Sequence, residues 1–225
     1  SPFINKGKNT IQIWLADGWY RGALMSLQTV LKVSNVWGNK LGAIVEIRNE
    51  KKILLTSNEN WKSGLLPILK SGIYYGEEYN ANITPKETNG VVVLDFDKSF
   101  LIEHEIDPVK ELDPINVQEE LKDDEGFTIY DFGQNVAGYV SLELSGNKDS
   151  KILIEHSEVL GLSSKNIQEK KCNHFENANF RSAAAKIEYT LSGSDIEKYK
   201  PHFTFMGFRY VRIKVLSGNV TVKKI

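Results

Sequence analysis

Apolar and polar positions alternate with a period of two along most of this chain, and that alternation predicts strands. Thr10–Leu15 alternates around β-branched and aromatic residues, and Leu41–Ile47 keeps Ala43, Val45 and Ile47 on one side. Lys52–Thr56, Val91–Phe96, Tyr139–Leu144, Lys151–His156, Lys186–Leu191 and Tyr210–Val215 extend the series. Polar turn signals separate them, among them "KGKN" at 6–9, "RNEKK" at 48–52, "SGNKDS" at 145–150 and "SGSD" at 192–195. No long segment keeps a helical period; only 163–169 and 178–184 read as short helical turns. The pattern predicts an all-β protein of two antiparallel, jelly-roll-like β-sandwiches. The stretch "HEIDPVKELDP" at 104–114 carries two Asp-Pro pairs and reads as a stiff connector, which divides the chain into units 1–104 and 105–225.

Composition narrows the function classes. Twenty-eight basic and 29 acidic residues among 225 leave a formal charge of −1, with no basic stripe, so nucleic acid is not an expected partner. A single cysteine, Cys172, rules out an intramolecular disulfide framework. No apolar run is long enough to cross a bilayer as a helix, so no membrane partner is expected either. The opening "SPFINKGKNTIQIWLADGW" enters a strand pattern at once and reads as a processed or excised piece of a longer protein. The cellular compartment stays open between cytoplasmic, periplasmic and secreted.

Four segments hold residues with chemistry. Alternation places Trp14 in the core, whereas Trp19 and Tyr20 follow the Gly18 turn, where an exposed ring offers a flat face to a sugar and a buried one packs the core. "GIYYGEEYNAN" at 72–82 sets Tyr75, Glu77 and Asn80 among further tyrosines and amides, a donor and acceptor set suited to sugar hydroxyls. Oxygen atoms of Glu77, Glu78 and Asn80 also suit calcium, although the spacing is not that of a helix–loop–helix calcium loop. Adjacent glutamates in a strand face opposite ways, which argues against a paired acid and base. In "YDFGQNVAG" at 130–138, Asp131, Gln134 and Asn135 lie around Gly133 and Gly138, and the reading is a structural turn or interface whose Asp131 holds backbone donors. Glu155 and His156 face opposite sides of one strand, and Cys172 with His174 lacks a second ligand pair for zinc. "HFTFMGFRYVRIKV" at 202–215 reads as a final strand that buries its aromatics and leaves Arg209 and Arg212 at the rim.

Together these segments resemble the bacterial α-L-rhamnosidase family, in the accessory β-sandwich domains that precede its catalytic barrel. The resemblance lies in "IWLADGWYRG" at 13–22, "NENWK" at 58–62, "SGIYYGEEYNAN" at 71–82, "YDFGQNVAGYVSLELSG" at 130–146, "EHSEVL" at 155–160, "NFRSAAAKIEYTLSG" at 179–193 and "PHFTFMGFRYVRI" at 201–213, in the family's order. Two positions depart from it: Glu188 stands where an aspartate is usual, and Asn80-Ala81-Asn82 where the family more often has Asp-Ala-Arg. The resemblance implies a first sandwich truncated at its start and a catalytic (α/α)6 barrel as partner. It also implies inverting hydrolysis of terminal α-L-rhamnosides by carboxylates lying outside this chain. The expectation is therefore a non-catalytic accessory fragment that supports the barrel and binds rhamnose-containing glycans, with no catalytic residue of its own. A self-standing carbohydrate-binding module is the competing class, and the length of the natural reading frame separates the two.

Overall fold

The structure, a computed structural model, describes residues 5–23, 34–35, 37–162 and 172–225. Apart from one helical turn, α1 (Gly18–Arg21), and short 3-10 turns at Lys98–Phe100 and Ala178–Phe180, its regular elements are strands. In the first half they are β1 (Glu46–Asn49), β2 (Lys52–Thr56), β3 (Lys62–Leu65), β4 (Ile68–Gly72), β5 (Gly76–Asn80) and β6 (Lys86–Gly90). Next come β7 (Glu119–Lys122), β8 (Thr128–Gly138), β9 (Leu142–Gly146), β10 (Lys151–Ser157), β11 (Val159–Gly161) and β12 (His174–Glu176). The last four are β13 (Lys186–Thr190), β14 (Glu197–Tyr199), β15 (Met206–Ser217) and β16 (Val220–Lys224).

A seven-stranded sheet in the order β4-β5-β13-β10-β15-β8-β7 is the backbone of the fold. A three-stranded sheet, β14-β9-β16, faces it, and one apolar core fills the space between. Period-two patterning explains which residues enter that core. On β10, Ile152, Ile154 and His156 point inward, matched across the sheet by Ile187 and Tyr189 of β13 and by Val211 of β15. From the facing sheet Leu142 and Leu144 enter between them. All pairings in the large sheet are antiparallel except β5 with β13, which run parallel from Gly76 opposite Lys186 to Asn80 opposite Thr190. Strands β4 and β5 therefore extend a sheet whose other members follow residue 118. Residues 101–118, which include the Asp-Pro connector, hold no regular element.

Several expected strands differ. Thr10–Leu15 and Val91–Phe96 have no regular element, and Leu41–Ile47 is a strand only from Glu46. The reason is that alternation specifies a strand only where a partner edge is available for the backbone groups. Trp14 is accordingly 42% exposed, resting on His202 with ring centroids 5.3 Å apart, and is not a core residue. The helical turn expected at 178–184 is confined to Ala178–Phe180, and the one at 163–169 lies outside the described residues.

Candidate functional site

The segment read as a turn, "YDFGQNVAG", is most of strand β8, interrupted by a bulge. Val136 pairs with Phe208 and Asp131 with Tyr210, so residues 132–135 oppose Arg209 alone. Gly133 makes the kink, at φ +78°, a conformation that a side chain disfavours; a Cβ there would also meet Gln118 at 2.9 Å. Asp131 ties the bulge down. Its Oδ1 accepts from the Gly133 N–H at 2.7 Å and from Arg209 Nε at 2.8 Å, while Oδ2 accepts from Arg209 Nη2 at 2.8 Å. Those bonds, with Arg209 foremost, hold the Asp131 carboxyl below the usual aspartate range despite its burial. Asn135 leaves the bulge to donate to Glu158 Oε1 at 3.3 Å, and Asn179 donates to Glu158 Oε2 at 2.5 Å. Gln134 is exposed.

Asp131→Ala should therefore lower stability by on the order of 1 kcal/mol, since the Gly133 N–H and the Arg209 guanidinium both lose their acceptor. The effect resides in protein that keeps its native spectrum but shows a lower denaturation midpoint. Unchanged stability together with lost glycan binding would assign Asp131 to a ligand instead.

Glu77, read as a partner for sugar hydroxyls or calcium, is buried in β5. Its Oε1 accepts from Tyr199 Oη at 2.8 Å and lies 3.1 Å from His202 Nδ1; its Oε2 accepts from the His202 N–H at 2.9 Å. Burial and the Glu77 charge keep the Tyr199 hydroxyl protonated and able to donate. Around this carboxylate Tyr79, Tyr189, Tyr199 and His202 form an aromatic cluster, with Tyr79 stacked on Tyr189 and on His202 at 5.5 Å. Asn80 holds a local turn, its Oδ1 accepting from the Asn82 N–H at 3.0 Å and Asn82 Nδ2 at 3.1 Å. Glu78 is half-buried and, one residue along the strand, faces the other way from Glu77. The donor set read for calcium thus does not converge. Among the described residues no group of three or more His, Cys, Asp or Glu has metal-holding geometry. Glu77 is an internal acceptor because β5 is an interior strand and not a loop.

The aromatic candidates separate as well. Trp19 and Tyr20 on α1 are 43% and 47% exposed, and Trp19 packs edge-on against Tyr74 at 5.3 Å. Tyr75 lies under the Lys70 ammonium, 4.7 Å from its ring centroid. Trp19 is not grouped with Glu77 or Asn80; it forms one wall of an apolar groove with Ile73, Tyr74, Phe180, Phe205 and Met206.

An ionic cluster on the outer face of the large sheet escaped the sequence reading. Glu155 of β10 faces Arg212 of β15 on one side and Lys186 of β13 on the other, each a direct cross-strand partner. Arg212, expected at the rim, is 7% exposed. It donates through Nε and Nη2 to Glu155 Oε2 at 3.0 and 2.8 Å and through Nη1 to Asp123 Oδ2 at 2.7 Å, beneath the Phe175 ring at 4.3 Å. Asp123 in turn caps its own loop, accepting at Oδ1 from the N–H groups of Glu125 at 2.9 Å and Phe127 at 2.7 Å. The available signal was the pairing of period-two strands, which puts Glu155 and Arg212 on one face; the burial comes from Phe127 and Phe175, remote in sequence.

This geometry defines an all-β module whose buried acids are engaged by internal donors. A family model described as the α-L-rhamnosidase N-terminal domain matches residues 1–115, and one described as the bacterial α-L-rhamnosidase concanavalin-like domain matches 121–225. The chain belongs to the bacterial α-L-rhamnosidase family, in its N-terminal accessory region. It is 28% identical to an α-L-rhamnosidase of Streptomyces avermitilis and 29% identical to one of Formosa agariphila, alignments that take in 99% and 95% of this chain. They take in 22% and 24% of those relatives, so the chain spans under a quarter of their length. The crystal structure of the S. avermitilis enzyme complexed with L-rhamnose superposes with a TM-score of 0.75 at 27% identity, over 94% of this chain and 20% of that one. Native α-L-rhamnosidase from Aspergillus terreus superposes with a TM-score of 0.69 at 28% identity, over 84% and 23%.

Proposed function

We propose that this chain is the non-catalytic accessory region of an α-L-rhamnosidase, that it supports the catalytic (α/α)6 barrel of the parent chain, and that it contributes contacts to rhamnose-containing glycans. The observation that carries the reading is coverage: two accessory-domain models account for nearly the whole chain, while about four-fifths of each relative is other sequence. In this reading the chain divides near residues 104–114 into two accessory units. The parent reaction is inverting hydrolysis, in which one carboxylic acid protonates the leaving oxygen and a carboxylate activates water from the opposite face. The buried carboxylates described above suit neither role, since Glu77, Glu155 and Asp123 are each held by protein donors.

Incubation of the pure protein with a chromogenic α-L-rhamnoside tests the proposal. The expected outcome is no turnover above buffer. Enzyme-level turnover that survives repurification, and disappears when a carboxylate of this chain is replaced, would overturn it.

A further inference from the structure

We infer that the segment between β6 and β7 is a cleavage site for endoproteases that select apolar side chains, and that a chain cut there stays assembled as two polypeptides. This follows from the fold and is independent of the accessory reading. From Val91 to Asn116 every residue is exposed, and the one regular element is the 3-10 turn at Lys98–Phe100. Apart from that turn's own bonds, Phe100 N–H to Asp97 and Leu101 N–H to Lys98, no backbone–backbone hydrogen bond joins residues 91–116 to the described residues. A protease cleft binds its substrate extended, which such a backbone can adopt without unfolding anything else. The segment is also apolar: Val92, Ile102, Val109 and Leu112 are each more than four-fifths exposed, offering an apolar specificity pocket side chains that folded proteins normally bury. One side-chain tether, Glu111 to Tyr139 and to Lys200 at 2.5 Å, joins exposed groups and holds only weakly. Cleavage adds water across one amide, so that the carbonyl becomes a carboxylate and the nitrogen leaves as a new amino terminus.

What happens after the cut is decided by strands that precede it. β4 and β5 belong to the seven-stranded sheet, β5 beside β13 from Gly76 opposite Lys186 to Asn80 opposite Thr190. Backbone bonds continue past both ends of β5: Ala185 N–H donates to the Tyr74 carbonyl at 3.2 Å, and Ala81 N–H to the Thr190 carbonyl at 3.0 Å. Alongside, buried Glu77 accepts from Tyr199 and His202, Tyr79 stacks on Tyr189, and Asn82 Nδ2 donates to the Leu191 carbonyl at 3.0 Å. Gly76 permits the approach, at φ +90°, because a Cβ there would meet the Lys186 carbonyl oxygen at 1.7 Å. All these contacts join residues on opposite sides of 91–116, and none uses that segment. The hairpin is therefore docked as an added strand docks on a sheet edge, with main-chain bonds for affinity and a buried side chain for register. Cutting the segment turns a tethered contact into a bimolecular one and removes none of these bonds.

The test is brief treatment of the whole chain with thermolysin, which cleaves before apolar residues, followed by size exclusion at about 1 μM protein and mass spectrometry in denaturant. Two fragments with new termini between 91 and 116 are expected, eluting together at the volume of uncut protein and separating only in denaturant. Gly76→Ala, left uncut, should keep a strand-rich spectrum because the connector holds its parts together, whereas its cut fragments elute apart. Cut Glu77→Gln, the milder change, should come apart at about tenfold higher concentration than wild type in a dilution series. If Gly76→Ala does not fold, Glu77→Gln decides alone. First cuts outside 91–116, or wild-type fragments that elute apart, would overturn the inference. So would variant fragments that hold together as tightly as wild type, since the docked strand would then not be what joins them.

Discussion

Replacing Arg212 with alanine is expected to destabilise the protein by about 3–5 kcal/mol, the cost of leaving buried carboxylates without their counter-charge. Asp123 has a side chain with 0% exposure and Glu155 one with 6%, and both bond directly to the Arg212 guanidinium. Lys214 at 3.4 Å and Lys186 at 3.7 Å from Glu155 soften the loss there, but no lysine pairs with Asp123 among the described ion pairs. Arg212→Lys should recover only part of the loss, because a single ammonium cannot reproduce the fork that reaches two carboxylates. For a domain of this size the alanine change corresponds to a fall in melting temperature on the order of 10 °C. A fall of under about 1 kcal/mol in chemical denaturation would mean that the cluster is solvated and not buried.

The second large effect is acid lability through His156. This ring is 1% exposed, edge-on to Phe208, with Nδ1 2.8 Å from the Ala185 carbonyl oxygen and Nε2 without a partner among the described residues. Nδ1 therefore carries the proton of a neutral imidazole. Burial pushes the ring's pKa down from 6.5 to about 4, against the opposing pull of the Ala185 carbonyl and the Glu155 charge. Between those values the unfolded chain binds a proton that the folded chain refuses, so stability is present above pH 6.5 and is lost as pH falls toward 4. The loss over the whole window amounts to about 3 kcal/mol. His156→Leu removes the titration and should flatten this part of the stability–pH curve, measured as denaturant midpoint at each pH. A wild-type curve with the same shape as the variant's would sink the assignment.

Both effects depend on features of unequal visibility in the sequence. Lys151–His156 and Lys186–Leu191 were legible as strands because their alternation is strict and both lie in the middle of a sheet. The opposite facing of Glu155 and His156 was legible for the same reason. What alternation cannot supply is the layer above a strand. Arg212 reads as a rim residue until Phe127 and Phe175 close over it, and Glu77 reads as a partner for sugar hydroxyls or calcium until Tyr199 and His202, more than 120 positions away, donate to it. Thr10–Leu15 and Val91–Phe96 show the converse: their pattern is good, but they lack a paired edge in the described structure. For the candidate site, the sequence marked Trp19 and Asn135 but not their partners, since Tyr74 and Glu158 reach them only through the fold.

The parallel pairing of β5 with β13 bears on how such a chain can be inherited. Two family models divide the sequence at about residue 115–121, yet five consecutive residues on one side of that line form a ladder with five on the other. Loss of the first part would strip β13 of its neighbour β5, opening a bare edge to other chains. It would also remove the acceptor on which Tyr199 and His202 depend. The two parts are thus joined by a ladder of backbone hydrogen bonds, so parting them at the sequence boundary would leave neither with the sheet it has here.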